Sequence, residues 1–426
     1  MYPHKFIHLI FYNVHIYARR YIMSKLAIKG GSPLRSEAFP AWPQYDDREL
    51  QSLEKVLKSG VWGTLGNEVK NFSKRFAAYQ HSEYGVAVTN GTVTLEVALR
   101  ALGVGMEDEV IVPPYTFNAT VSAVLIVGAK PVFVDIENHS YNIDPSKIEE
   151  AITAKTRAVI PVHIGGRPCD MDRIMEIAQK HGLYVVEDAA HAHGSEWKGR
   201  RVGSIGHAGS FSFQASKNLN AGEGGILTVN DPDIYEKCWS IHHCGRDLHG
   251  TVWYDHPHIG TNARMTEWQA VILNTQMDRL DGQIDKRMRN AEYLTSRLKE
   301  VDFIETMRPD ERITRNSYHL FLFKYMSERC KGLPRGKFLA ALSAEGIPCS
   351  PGYACLYKQG MLKSEEAKRI LGSNTAYEGL YLDHVEKAAN GEGLWITQNL
   401  LLGEKKDMDD IADAIIKIGE NVNELL

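Results

Sequence analysis

From Tyr84 to Val229 the chain alternates short runs rich in β-branched residues with amphipathic segments of helix length. The β-branched runs fall at 84–88, 109–112, 131–135, 157–161, 183–187, 209–213 and 225–229, and helix-period stretches at 92–102, 118–127 and 171–181 separate several of them. Strands separated by helices need crossover connections, which give a mostly parallel sheet covered on both faces. The unbroken apolar run Leu183-Tyr184-Val185-Val186 fits a strand buried on both sides. The expected class is α/β. Residues 270–300 carry apolar positions at helical spacing with few breakers, which predicts one long helix leaving this unit. Beyond it, a strand at 318–324 and helices at 335–345 and 406–425 predict a smaller C-terminal α+β unit. The expected organisation is an N-terminal arm at 23–60 with a helix starting near Asp46, a large unit at 61–285 and a small one at 286–426.

Charge and cysteine usage narrow the class. A net charge of −4 over 426 residues leaves no surplus to neutralise phosphates, so a nucleic-acid partner is not expected. The six cysteines contain no Cys-x-x-Cys pair and suit free thiols in a reducing compartment. Residues 1–22 differ from the rest. His8, Asn13 and His15 break their apolar run, and no small-residue cleavage site follows, so they do not read as a secretory signal. They are also too short and polar to span a bilayer. Met23 is therefore the expected start, residues 1–22 an extension outside the fold, and the location cytoplasmic with no membrane contact.

The stretch 209–225, GSFSFQASKNLNAGEGG, ends a strand and places Lys217 in a small, polar, glycine-rich loop. Such a lysine is badly placed for a core and well placed to project its amine into a cleft. A Schiff-base lysine needs local desolvation so that some amine is unprotonated near neutral pH; a solvated turn lysine is the plainer alternative. Asp188 ends the strand LYVVED, at the sheet edge where open α/β sheets bind ligands. A carboxylate there can face a pyridinium nitrogen, as pyridoxal phosphate chemistry requires. Glu187 points the other way by strand alternation and reads as structural. His191 can hydrogen-bond a ring oxygen or serve as a scaffold histidine. The turn Thr89-Asn90-Gly91-Thr92 joins a strand to a helix start, where free backbone N–H groups and the positive helix end favour a phosphate. Gly91 permits close approach, Thr92 adds a hydroxyl, and Ser212 can add another. At the junction 113–120, Phe117 or Tyr115 can lie on a flat ring.

Together VVEDAAHAHGS, FSFQASKNLNAGEGG, VHIGGRPCDMD, PYTFNAT and NARMTEWQA resemble the DegT/StrS family of sugar aminotransferases, fold-type I enzymes that use pyridoxal 5'-phosphate. The resemblance runs from about Leu26 to the C-terminus. It implies that Lys217 bonds the cofactor, that Asp188 holds its ring nitrogen, that Gly91, Thr92 and Ser212 bind its phosphate, and that Phe117 stacks on it. It further implies a homodimer with shared active sites, in which a residue near Asn262 reaches the partner's phosphate. The family often has glutamine where this chain has His191, which leaves that contact less determined. The opening LAIKGGSPLRSEAFPAWP and SGVWG look most like inosose aminotransferases and aminohydroxybenzoate synthase. The implied reaction moves an amino group from glutamine or glutamate to a keto-cyclitol or keto-sugar, with Trp62, Tyr318 and Tyr353 facing the substrate. For the donor's carboxylate, Arg246 and Arg264 are both candidates.

Several rivals follow from the same residues. An aminohydroxybenzoate-synthase-like lyase shares the fold; a non-catalytic regulatory homologue is argued against by Lys217 and Asp188 together. Family dehydratases carry histidine where Lys217 stands. A nicotinamide enzyme is disfavoured because the run Gly103-Val104-Gly105 lacks a third glycine and follows a helix. No metal is expected, since His242, His243, Cys244, His249, His256 and His258 have irregular spacing. That loop is expected to cover the cofactor or the dimer interface.

Overall fold

The computed structural model describes residues 25–426 except Leu65, residues 251–253 and Asn374. The extension expected at 1–22 lies outside the described residues. In chain order, α1 (Asp47–Ser59) and α2 (Glu68–Tyr79) lead into β1 (Tyr84–Val88), α3 (Gly91–Ala101), β2 (Glu109–Val112), α4 (Ala119–Ile126), β3 (Lys130–Phe133), β4 (Thr156–Val159), α5 (Met171–His181) and β5 (Tyr184–Asp188). Two short strands, β6 (Glu196–Trp197) and β7 (Arg200–Arg201), precede β8 (Ala208–Ser212), β9 (Gly225–Val229) and α6 (Pro232–His242). After α7 (Glu267–Leu298) come β10 (Ile304–Thr306), β11 (Ile313–Arg315), β12 (Leu320–Tyr325), α8 (Arg335–Ala344), α9 (Glu365–Leu371), α10 (Asp383–Lys387), β13 (Gly393–Thr397) and α11 (Lys405–Glu420).

The central sheet has seven strands in the order β1-β9-β8-β5-β4-β2-β3. The run β8-β5-β4-β2-β3 is parallel, while β9 runs antiparallel to both its neighbours. The α/β class is thus a mostly parallel sheet, with its crossover helices on both faces. One face packs Val88, Val112, Ile160 and Val186 against α3 and α4; the other packs Val185, Phe211 and Ile226 against α2, α5 and α7. Because β1, β2, β5 and β8 point the same way, their C-terminal ends share one edge.

A second sheet, β10-β12-β13, is antiparallel and closes over its own core of Phe321, Phe323, Phe338, Ile396 and Ile411. The long helix links the two. Its first half, through Ile284, buries into the core of the central sheet, and its second half, from Ala291, into the core of the smaller one. A capping box at Thr266 and Gln269 starts it.

Candidate active site

The edge carrying the C-terminal ends of β1, β2, β5 and β8 opens into a cavity of about 880 Å³. Asp188 enters from the end of β5 and is buried. Its Oδ2 accepts a hydrogen bond from Thr120 Oγ1 at 2.8 Å, and its Oδ1 accepts one from Ala190 N at 3.2 Å. Burial raises its carboxyl above the usual range, against the lowering pull of those two donors and of Lys217. Lys217 reaches the same cavity from the loop after β8, and among the described residues no side-chain hydrogen bond or ion pair holds its amine. Burial draws its ammonium down to about 8, with Asp188 pulling the other way.

Glu187 faces the opposite side, as strand alternation requires. Oε2 takes His163 Nε2 (3.0 Å) and Gly203 N (2.7 Å); Oε1 takes Ile205 N (2.8 Å) and Gly206 N (2.6 Å). Burial alone would raise this carboxyl, but those donors outweigh it and lower it. Glu187 is a structural pin.

Beside the lysine, α3 begins at Gly91. The Asn90 side chain accepts Val93 N at 3.0 Å, while the N–H groups of Gly91 and Thr92 have no acceptor among the described residues. A Cβ at Gly91 would stand 2.7 Å from Ser212 Cβ, so only glycine lets the helix start close on β8. Two unspent N–H groups, a positive helix end and two hydroxyls therefore converge where an anion fits.

His191 is held by its own acceptor. Gly165 N donates to Nδ1 at 3.2 Å, so that nitrogen carries a lone pair and Nε2 carries the proton. Burial, reinforced by the Lys217 charge, keeps the ring neutral. His319 lies with its ring 4.3 Å from that of His191 and shares the cavity. Asn218 Nδ2 donates to Ser317 O, so its Oδ1 faces His319 Nδ1 at 3.3 Å, and this second ring is protonated there.

Of the expected residues, Gly91, Thr92, Phe117, Asp188, His191, Ser212, Lys217 and Tyr353 line this one cavity. Phe117 is 58% exposed on its wall, whereas Tyr115 is buried against Tyr141 and Tyr353. Four others lie elsewhere. Trp62 is half-exposed and packs on Trp268, its ring 5.5 Å away. Tyr318 has φ of 47°, which turns its ring onto Phe321 in a separate cavity and leaves His319 facing the lysine. Neither Trp62 nor Tyr318, both expected to face the substrate, lines the cavity that holds Lys217. Asn262 pairs with His243 across a backbone bridge. Arg264 is also engaged outside the cavity, with Cys244 Sγ at 3.0 Å and His243 Nδ1 at 3.3 Å. The residues not anticipated are Thr120, His319, Trp42 and Gln398. Thr120 closes the motif PYTFNAT and was the one with a local signal; the others come from distant segments.

Residues 43–392 match the DegT/DnrJ/EryC1/StrS aminotransferase family. The chain belongs to this family. Over 413 residues it is 38% identical to a putative L-glutamine:3-amino-2,3-dideoxy-scyllo-inosose aminotransferase of Streptoalloteichus tenebrarius, covering 94% of this chain and 99% of that protein. It is 36% identical to the L-glutamine:scyllo-inosose aminotransferase of Streptomyces griseus, covering 94% and 99%. Its fold matches the crystal structure of 3-amino-5-hydroxybenzoic acid synthase with a TM-score of 0.81 at 33% identity, over 92% of this chain and all of the other. This member of the DegT/StrS family is an aminotransferase of fold-type I, and its cofactor is pyridoxal 5'-phosphate.

Proposed function

We propose that this enzyme moves an amino group from glutamine or glutamate to a keto-cyclitol or keto-sugar, with Lys217 bonding the cofactor and carrying the proton. The observation that carries this reading is the unpaired Lys217 amine in one cavity with buried Asp188 and the Gly91–Ser212 approach. The residues fit pyridoxal phosphate, because the absence of a Cβ at Gly91 lets the start of α3 close on Ser212 and bring the N–H groups and hydroxyls of a phosphate cradle together. Bound there, the cofactor supplies an electron sink conjugated to the carbon that bears the amine. Asp188 sets its negative charge against the ring nitrogen, Thr120 fixing the carboxylate through a charge-assisted hydrogen bond of about 1.5–3 kcal/mol. The N–H groups of Gly91 and Thr92 and the Ser212 hydroxyl bind phosphate. Phe117 covers the ring face, and His191 donates Nε2–H to the ring oxygen. Lys217, once a free amine, would carry the proton from the donor's α-carbon to the cofactor carbon bonded to the amine nitrogen, and back the other way when the ketone is aminated, a role worth about a hundred- to ten-thousand-fold.

Support for the acceptor class comes from the relatives named as scyllo-inosose aminotransferases. The same reading makes the enzyme a cytoplasmic homodimer with shared sites, Asn262 serving the partner's phosphate and Tyr353 facing the substrate. Among the described residues, no helix is long and apolar enough to cross a membrane. It also divides the chain at 285/286, between the two halves of α7 that enter separate cores. The test is a screen of glutamine, glutamate and alanine against inososes and nucleotide-linked keto-sugars, following the pyridoxal-to-pyridoxamine absorbance change. Glutamine with an inosose is expected to complete the cycle; failure of every ketone sinks the acceptor assignment. A lyase that aromatises an amino-shikimate precursor is the second reading, favoured by the fold likeness to the benzoic acid synthase. Appearance of an aromatic product without a second substrate would select it.

A further inference from the structure

Arg287, on α7, is fully buried. Among the described residues no carboxylate lies within ion-pair distance of it, and its Nη1 has no hydrogen-bond partner. An uncompensated guanidinium in the interior carries a heavy desolvation penalty, which a purely structural residue has no reason to incur. Burial draws it down only to about 9, so it stays charged at neutral pH. Its placement says where the missing anion belongs. Nε and Nη2 both donate to Gln398 Oε1, at 3.1 and 2.5 Å, and its guanidinium lies 5.4 Å from the centre of the Trp42 ring. Gln398 and Trp42 are both walls of the cavity that holds Lys217.

The arginine also fixes the polarity of the glutamine. Guanidinium groups only donate, so the atom facing Arg287 must be the oxygen. The Gln398 amide nitrogen, with no partner among the described residues, is then left to the cavity that the side chain lines. Trp42 Nε1 donates to Ala215 O at 3.0 Å, two residues before the catalytic lysine, so this wall is rigidly tied to the reaction centre. The cavity's own lining carboxylates, Asp188, Glu96 and Glu223, repel an anion, while Lys217 is committed to the chemistry. The positive field behind Gln398 is what remains for one.

Resting on the proposed reaction, we propose that Gln398 and Arg287 recognise the α-carboxylate of the amino donor. Gln398 touches it through its amide N–H groups, and Arg287 is a positioning residue that orients Gln398 and supplies charge through it.

The test uses the holoenzyme and probes that need no turnover. 2-Oxoglutarate keeps the α-carboxylate of the donor; 4-oxobutanoate lacks it. By calorimetry the unaltered enzyme should bind the first at least about tenfold more tightly. Gln398→Leu and Gln398→Glu should abolish that preference. Both should raise the donor KM about 10- to 100-fold, with the acceptor KM within about twofold. Arg287→Lys should keep part of the preference and Arg287→Met lose it, with the unfolding temperature of each followed in parallel. If the preference survives Gln398→Leu, or if donor and acceptor KM rise together, the assignment is overturned. An enzyme that prefers 2-oxoglutarate yet aminates no ketone supports this assignment while sinking the acceptor reading.

Discussion

At Lys217, burial and the Asp188 carboxylate act in opposite senses, and burial prevails, leaving the amine half-titrated near pH 8. In the cofactor-free protein the amine is therefore blocked by its proton below that value and free above it. The rate at which it captures added pyridoxal phosphate, followed by absorbance, should rise through about pH 8 to a plateau. Asp188→Asn removes the group that favours the ammonium, so the inflection should move to lower pH; a shift upward or none would refute this account. A second substitution tests the cradle. The methyl group of Gly91→Ala would stand 2.7 Å from Ser212 Cβ, so the helix start must retreat from β8. Affinity for pyridoxal phosphate in equilibrium dialysis should fall about tenfold or more, with global stability little changed. Lys217, Asp188 and Gly91 were legible because each lies at or just beyond a strand's C-terminal end, beside residues of its own motif. His319, Trp42 and Gln398 were not, because only tertiary folding brings those segments to the lysine, and nothing local marks them.

Among the elements, β5 shows how a strand can serve both faces of a sheet: Asp188 looks into the cavity, and Glu187 gathers three backbone N–H groups and His163 behind it. Glu187→Gln keeps the shape but turns an amide NH₂ toward donors. The unfolding free energy in urea should fall by about 3 kcal/mol. Sign follows from the lowered carboxyl: its contribution is complete above the ordinary carboxyl range and is lost as pH falls through its folded value. Stability of the variant should therefore vary less with pH on the acid side than that of the parent. Element positions were read closely from periodicity, and the differences have physical causes. The strand expected at 131–135 is Lys130–Phe133, because Asp135 leaves the ladder to accept from Val385 N, His384 N and Ile136 N and to pair with Lys147. Such a cap for α10 depends on residues about 250 positions away and has no signature in the strand itself.

On the scale of the whole molecule, two contacts decide how the ends are held and what surface is left over. The segment 27–35 is pinned to α8 and α11 by Glu345, which accepts from Ala27 N and Leu34 N at 2.9 Å and pairs with buried Lys417 at 2.8 Å. Arg35 adds Asp407 and Asp410 at 2.6 and 2.7 Å. After this docked segment a capping box of Asp46 and Glu49 starts α1, and the outer side of α1 stays bare. Leu50 and Leu57 stand two turns apart on it at 58% and 57% exposure, and the half-exposed Trp62 donates its ring N–H back to Leu57 O. An apolar set of that kind on one chain is a mark of association. The proposed homodimer gives it a cover and places Trp62, which does not reach its own chain's cavity, at a boundary with the partner. Leu57→Glu puts a charge where two such faces would meet without touching the Lys217 cavity. Light scattering should show the molar mass halved relative to the parent. Pyridoxal phosphate should also dissociate faster, because the proposed partner contact near Asn262 would be lost with the dimer. A variant that stays dimeric moves the interface off α1, and one that becomes monomeric yet holds its cofactor equally well denies the shared site.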